Sequence, residues 1–309
     1  MALSNHYINH NGCVQSLHKP QWLRPITTLT TIAASNHFIN HNCCVQSLHK
    51  PQWLRQLSTA LIDVSLSLCS GNHELWIRDK AEDPATSIIK FHQIIAACKD
   101  IGVHTDPKKI SLDDTSKEYA WIVPLFAWYA TPEDSTDSLY VTSLTEDVKL
   151  TTSLWMDNRM CIWPDYPNIP PSKYFTDLNK DRVKVYDAPV ISFSHFLPRQ
   201  DLIRADETDD ERMTAERRRM GLSELDTPRR QGAMAGFNFT RYAGCSTLER
   251  QLRQIGSRVH VFGHQHRNRD RTVDGVRYVS HCLGYKRERQ QGLICGIGEW
   301  MGPKQVWPL

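Results

Sequence analysis

Ser70-Gly71-Asn72-His73-Glu74 follows the run Asp63-Val64-Ser65-Leu66-Ser67-Leu68-Cys69, in which polar and apolar residues alternate. A period of two predicts a strand. The Asn-His pair then falls on a tight turn at the C-terminal end of that strand, where open α/β sheets bind ligands. Two later stretches repeat the design. Val190-Ile191-Ser192-Phe193-Ser194 runs into His195, and Arg258-Val259-His260-Val261-Phe262 runs into Gly263-His264-Gln265-His266. Three predicted strands thus deliver an amide and several imidazoles to one edge. Imidazole and amide oxygen suit first-row divalent ions. Glycines at 71 and 263 let the backbone bend and approach an ion closely. A single histidine of this kind is commonly a loop or capping residue; the ordered set points to metal.

Gly71-Asn72-His73-Glu74, the lone His195, and Gly263-His264-Gln265-His266 together resemble the calcineurin-like metallophosphoesterase family. That family's pattern is D-x-H, G-D, G-N-H-[DE], a lone His, and G-H-x-H. The likeness spans residues 63–285 and implies an α/β fold: a metallophosphoesterase-type β-sandwich flanked by helices. It implies hydrolysis of a phosphoester by metal-activated water, between ions about 3.5–4 Å apart in a two-metal site. Asn72, His195 and His264 match ligands of one metal, His266 matches a ligand of the other, and His73 matches the phosphate-side catalytic histidine. The implied cofactors are divalent Mn, Zn or Fe, one or two per chain. The implied partner is a phosphorylated small-molecule or protein substrate.

D-x-H and the bridging aspartate of G-D have no counterpart, because no Asp or Glu precedes Asp63. Asp63 itself begins the strand, and seven steps at about 3.3 Å put it roughly 23 Å from Ser70. Glu74 or Asp79 is the nearest substitute carboxylate. The expectation is an incomplete N-terminal part of the sheet, with an exposed edge. Two readings of function follow: a phosphoester hydrolase, or a catalytically impaired relative that binds a partner through a residual half-site. A different first exon, and hence an incorrect gene model, is a third.

Residues 4–24 read SNHYINHNGCVQSLHKPQWLR and residues 35–55 read SNHFINHNCCVQSLHKPQWLR. Two near-identical copies indicate a recent duplication; a solenoid needs at least about three repeats. With little helical or strand period, residues 1–62 are expected to form a poorly ordered arm before a domain at 63–309. The arm is acid-free, with Lys19, Arg24, Lys50 and Arg55, so an organelle transit peptide is one alternative. A metal site from His6, His10, Cys13 and His18 is another.

The chain has 309 residues, a net charge of +3 and 23% charged residues. That gives no strong nucleic-acid signal. No apolar run approaches the ~20 residues of a membrane span. Nine cysteines without framework spacing suggest reduced thiols and an intracellular, cytoplasmic protein. Oligomeric state is not encoded in any pattern.

Other expected elements are a helix over 84–97, a buried strand over 119–126 broken by Pro124, and a helix over 246–255 capped by Ser246 or Thr247. Asp274-Gly275 marks a hairpin. Loops are expected over 130–150 and 164–184, and a charged, solvated excursion over 201–232. Trp128, Tyr129 and the segment Trp155-Met156-Asp157-Asn158-Arg159-Met160-Cys161-Ile162-Trp163-Pro164 resemble a region of plant-like members of the same family; its aromatics read as core or rim.

Overall fold

The computed structural model describes residues 64–78, 85–111, 118–131, 135–165, 168–223, 236–282, 284–294 and 304–307, with three backbone strands before residue 64. Those strands are β1 (Asn5–Ile8) and β2 (Val14–Leu17), an antiparallel pair, and β3 (Leu29–Ala34). Strand β3 pairs in parallel with β4 (Val64–Cys69), with Ala34 opposite Cys69. The expected patternless arm therefore contains strands, and one of them partners the strand that leads to Asn72. The side chains of the His6, His10, Cys13 and His18 alternative lie outside the described residues, as do Asp63 and Asp79.

The main sheet has six strands in the order β5-β6-β7-β8-β10-β9. They are β5 (Lys108–Ser111), β6 (Tyr119–Pro124), β7 (Val190–Phe193), β8 (Ser257–Val261), β9 (Arg269–Val273) and β10 (Val276–Ser280). The central pairs β6–β7, β7–β8 and β8–β10 are parallel, and the edge strands β5 and β9 are antiparallel. A parallel core requires crossovers, and helices fill them. The expected sandwich of a particular family thus gives way to a coarser description: a mixed α/β fold with a six-stranded sheet flanked by helices.

Helix α1 (Ser87–Asp100) starts three residues later than expected, because the Thr86 side chain caps it by accepting from the Ile89 amide. Its Phe91 ring packs edge-on against Phe126 and Phe175, at 5.0 and 5.1 Å between centroids. Helices α2 (Val148–Leu154), α3 (Asp157–Met160) and α4 (Pro171–Asp177) occupy the β6–β7 crossover. The expected loop at 164–184 therefore contains α4, started by proline at its first position.

Within the charged excursion, helix α5 (Glu207–Arg219) buries one face through Asp209, Met213, Glu216 and Arg217 and leaves the other to solvent. A capping box of Asp206 and Asp209 starts it, and the three arginines at its end complement the helix dipole. Helix α6 (Ser246–Gln254) begins after Cys245, with no side-chain cap from Ser246 or Thr247. The β9–β10 hairpin turns at Asp274-Gly275 as expected, both with positive φ. A last short helix, α7, spans Lys286–Gln290.

Among the described residues no helix is long and apolar enough to cross a membrane. Cys98, Cys161, Cys245 and Cys282 are free thiols. Burial pushes Cys98 and Cys245 up to about 11 and Cys282 to about 12, which makes them poor nucleophiles.

Candidate functional site

The loop after β4 begins with Gly71, whose backbone lies against the His195 ring. A Cβ there would sit 2.6 Å from the imidazole. Glycine is needed at 71 for close approach, not for an unusual φ. Gly263 differs from the expectation: a Cβ there would meet His195 only at 3.6 Å, an ordinary contact. The left-handed positions are instead His264, with φ 69°, and His266, with φ 56°. Such conformations cost non-glycine residues about 1–3 kcal/mol and concentrate where the fold holds functional groups in place.

Hydrogen bonds extend the sheet register past the strand ends. Ser194 N donates to Val261 O, and Gly263 N donates to His195 O, both at 3.0 Å. They hold the loops after β7 and β8 side by side. Asn72, His195 and His264 meet there, all buried. His195 Nε2 lies 3.0 Å from Asn72 Oδ1 and 3.0 Å from His264 Nδ1.

The orientation of each group follows from its outer contacts. Asn72 Nδ2 donates to Asp157 Oδ1 and Oδ2 at 2.9 and 3.1 Å, so its carbonyl end faces His195. His264 Nε2 donates to Tyr242 O at 2.9 Å, which leaves a lone pair on Nδ1. His195 Nε2 carries at most one proton, yet faces two acceptors. One of the two 3.0 Å approaches is therefore lone pair against lone pair.

Donors about 2.1 Å from a shared ion and at right angles to one another lie about 3 Å apart. The donor chemistry of Asn72 Oδ1, His195 Nε2 and His264 Nδ1 thus fits a divalent cation. Among the described residues no group of three His, Cys, Asp or Glu side chains is placed to hold a metal. The triad escapes that description because its third member is an amide.

The surroundings of His264 are aromatic. Its ring lies 4.5 Å from Phe196, 5.3 Å from Phe239 and 5.7 Å from Trp155, and Trp155 stacks on Tyr242 at 4.4 Å. Burial pushes His264 down to about 3, so it is neutral at working pH and keeps its lone pair.

His73 opens a 3-10 turn (His73–Leu75), with its ring 4.1 Å from that of Trp76. His73 and His266 are both near enough for their charge to act on His264. His266 Nδ1 lies 2.9 Å from Glu288 Oε2, which leaves Nε2 as the nitrogen suited to a ligand. Burial pushes Glu288 up, but the His266 hydrogen bond and nearby positive charge outweigh it and hold the carboxyl below its usual range. Glu74 does not supply the missing carboxylate: it accepts from the Gly71 amide at 2.9 Å and closes its own turn.

Sequence reasoning missed three supports of the site: Asp157, Tyr242 and Glu288. Asp157 also accepts from Trp76 Nε1 at 2.6 Å. Burial pushes its carboxyl above the usual range, against the pull of Asn72 and Trp76. Helix α3 is fastened to the Asn72 loop by Ile77 N donating to Met160 O at 2.7 Å. Ser87 Oγ adds to this by donating to Leu75 O and accepting from Ile162 N.

Gly71→Ala is expected to displace His195 and destabilise the fold by about 1–3 kcal/mol, the usual cost of overpacking a filled site. Urea unfolding of the two proteins measures it. An unchanged midpoint with unchanged metal binding would mean that the His195 ring has room to retreat.

No family model matches this chain. No curated protein matches it either. The crystal structure of the phosphopantetheinyl hydrolase PptH from Mycobacterium tuberculosis is similar, with a TM-score of 0.50 and 18% identity over 83% of this chain and 84% of that one. Membership of the calcineurin-like metallophosphoesterase family, expected from the motifs, is corrected accordingly. No family model supports it, and the matching structure is described as a phosphopantetheinyl hydrolase. At this identity the likeness is one of fold: the chain shares a mixed α/β architecture with PptH.

Proposed function

We propose that this protein is a metal-dependent hydrolase of phosphoesters, built on Asn72, His195 and His264. The observation that carries this reading is His195 Nε2 standing 3.0 Å from two other lone-pair donors. The fold shared with a structure described as a hydrolase supports it. A divalent cation bound there would supply Lewis-acid polarisation of a phosphoryl oxygen and activation of water.

The chain's own residues have separate tasks. Asn72 Oδ1, His195 Nε2 and His264 Nδ1 would hold the ion, and His266, whose Nδ1 is taken by Glu288, would offer Nε2 to any second one. Phe196, Phe239 and Trp155 keep bulk water from His264. His73, one residue beyond Asn72, would bind the phosphate side and give a proton to the leaving oxygen as water attacks phosphorus and the P–O ester bond breaks. The substrate is a phosphorylated small molecule or a phosphorylated group on a protein. A phosphopantetheine arm is one to assay, given the description of PptH.

A second reading keeps the ion and loses the chemistry. The triad contains no carboxylate, and nothing matches the two aspartate motifs, which favours a binding protein that uses a half-site.

Purified protein is expected to bind Mn²⁺ and to hydrolyse p-nitrophenyl phosphate or its bis-ester, with activity removed by chelator and restored by Mn²⁺. Binding without turnover on either ester would favour the second reading. Turnover indifferent to chelator would overturn the metal-dependent one.

A further inference from the structure

We infer that Asp157 is the counter-charge of the metal triad, acting through the side-chain amide of Asn72. This rests on the proposed metal site and adds to it a role for a residue outside any recognised motif.

Asn72, His195 and His264 are all neutral ligands, so a bound dication would sit in a buried site with no charge to balance it. Buried charges are tolerated when they are paired. Asp157 is 3% exposed. The side chains that act on it most are Asn72, Trp76, Trp155 and Tyr129, none of them a cation. Its described side-chain contacts from Asn72 and Trp76 are donors, with N···O distances of 2.9 and 3.1 Å from Asn72 Nδ2 and 2.6 Å from Trp76 Nε1. A surrounding of donors suits a carboxylate, which only accepts, rather than a carboxylic acid.

The cluster thus sets a buried carboxyl group held by neutral donors beside a group of converging lone pairs, joined by one amide. A carboxylate pulling on Nδ2–H raises the electron density on Oδ1, the atom that faces His195. It also fixes the amide so that oxygen, not nitrogen, points to the ion. Outer-shell partners of this kind orient ligands and raise their basicity, and their loss commonly costs 10–100-fold in metal affinity. Asp157 is a positioning residue; it does not touch the reacting atoms.

The experiment is Mn²⁺ binding to the full chain, followed by the electron paramagnetic resonance signal of free Mn²⁺. Three proteins are compared: wild type, Asp157→Asn, and the exchange variant Asn72→Asp with Asp157→Asn. Asp157→Asn is expected to bind roughly 10–100-fold more weakly. The exchange variant keeps one carboxylate and one amide in the same space, and is expected to recover affinity to at least the wild-type level.

Circular dichroism without metal reports whether each variant is folded. If Asp157→Asn alone does not fold, the folded exchange variant decides: binding supports the role, and no binding overturns it. Asp157→Asn binding as tightly as wild type overturns the counter-charge and leaves the triad standing. A wild type that binds no Mn²⁺ overturns the triad itself and the counter-charge with it.

Discussion

His264→Ala is expected to lose Mn²⁺ binding and to lower metal-dependent hydrolysis by at least about 100-fold. Removing an outer-shell partner already costs up to that much, and His264 is proposed as a direct ligand. The position resists replacement for several reasons. The ring is buried, fixed by Tyr242 O at Nε2, and enclosed by Phe196, Phe239 and Trp155. Burial holds its pKa at about 3, so its lone pair is available without prior loss of a proton. Alanine at 264 would keep the left-handed backbone, φ 69°, while losing the side chain that compensates for it. Equilibrium dialysis gives the stoichiometry and an ester assay gives the turnover. A folded His264→Ala protein that retained both would remove the triad from the active site.

Acid is expected to weaken the fold through His260, well above the pH at which carboxylates protonate. His260 is fully buried between β7 and β8, with Nδ1 2.7 Å from Ser192 Oγ and Nε2 3.1 Å from Ser194 Oγ. Ser194 Oγ donates to Phe196 O at 2.7 Å, so Nε2 carries the imidazole proton and Nδ1 accepts from Ser192. Ser192 Oγ also lies 2.7 Å from Ser257 Oγ. What disfavours a second proton is full burial, which would leave a charge on the ring away from water.

Burial pushes His260 down to about 3, from an ordinary 6.5. The unfolded chain therefore takes up the proton first as pH falls. The stabilisation is intact above about 6.5, declines by about 1.4 kcal/mol per pH unit below it, and is gone near 3. Across two units, from 6.5 to 4.5, the loss is about 2–3 kcal/mol. His260→Gln, which keeps a donor and an acceptor but cannot titrate, is expected to flatten this limb by that amount. Urea midpoints at the two pH values, for both proteins, measure it. Parallel acid limbs would mean that His260 does not stay neutral in the folded state.

The strands that end in Asn72, His195 and His264 were legible because each is a short apolar run closed by polar, chemistry-bearing residues. Their meeting was legible only as an inference from three like endings. The supports were not legible. Asp157 stands on a four-residue helix inside an aromatic stretch whose rings dominate any reading by pattern. Tyr242 contributes a backbone carbonyl, which its side chain does not announce. Glu288 lies 22 residues beyond His266, on a short helix with charges on every side.

Helix α5 was read as solvated because its sequence is rich in charge. One face of it is buried, in part through pairing: Asp209 meets Arg269 at 3.4 Å and also meets Arg271. Hydrophobic periodicity carries no trace of such a contact. Strand β3 lies beside a duplicated segment, and the duplication drew attention away from the run Leu29-Thr30-Thr31-Ile32-Ala33-Ala34.

The Ser257–Ser192–His260–Ser194 chain of hydroxyls and imidazole ties β7 to β8 by side chains as well as by the backbone ladder. Two strands fastened in both ways should release their amide hydrogens to solvent together, as one slow cooperative unit. His195 and His264 follow the C-terminal ends of the two strands, side by side at one end of that unit. Heat or denaturant would then spare both imidazoles until the sheet itself gives way, and remove them in the same event. For the proposed metal site, loss of a bound ion and loss of the fold would then be recorded at one temperature.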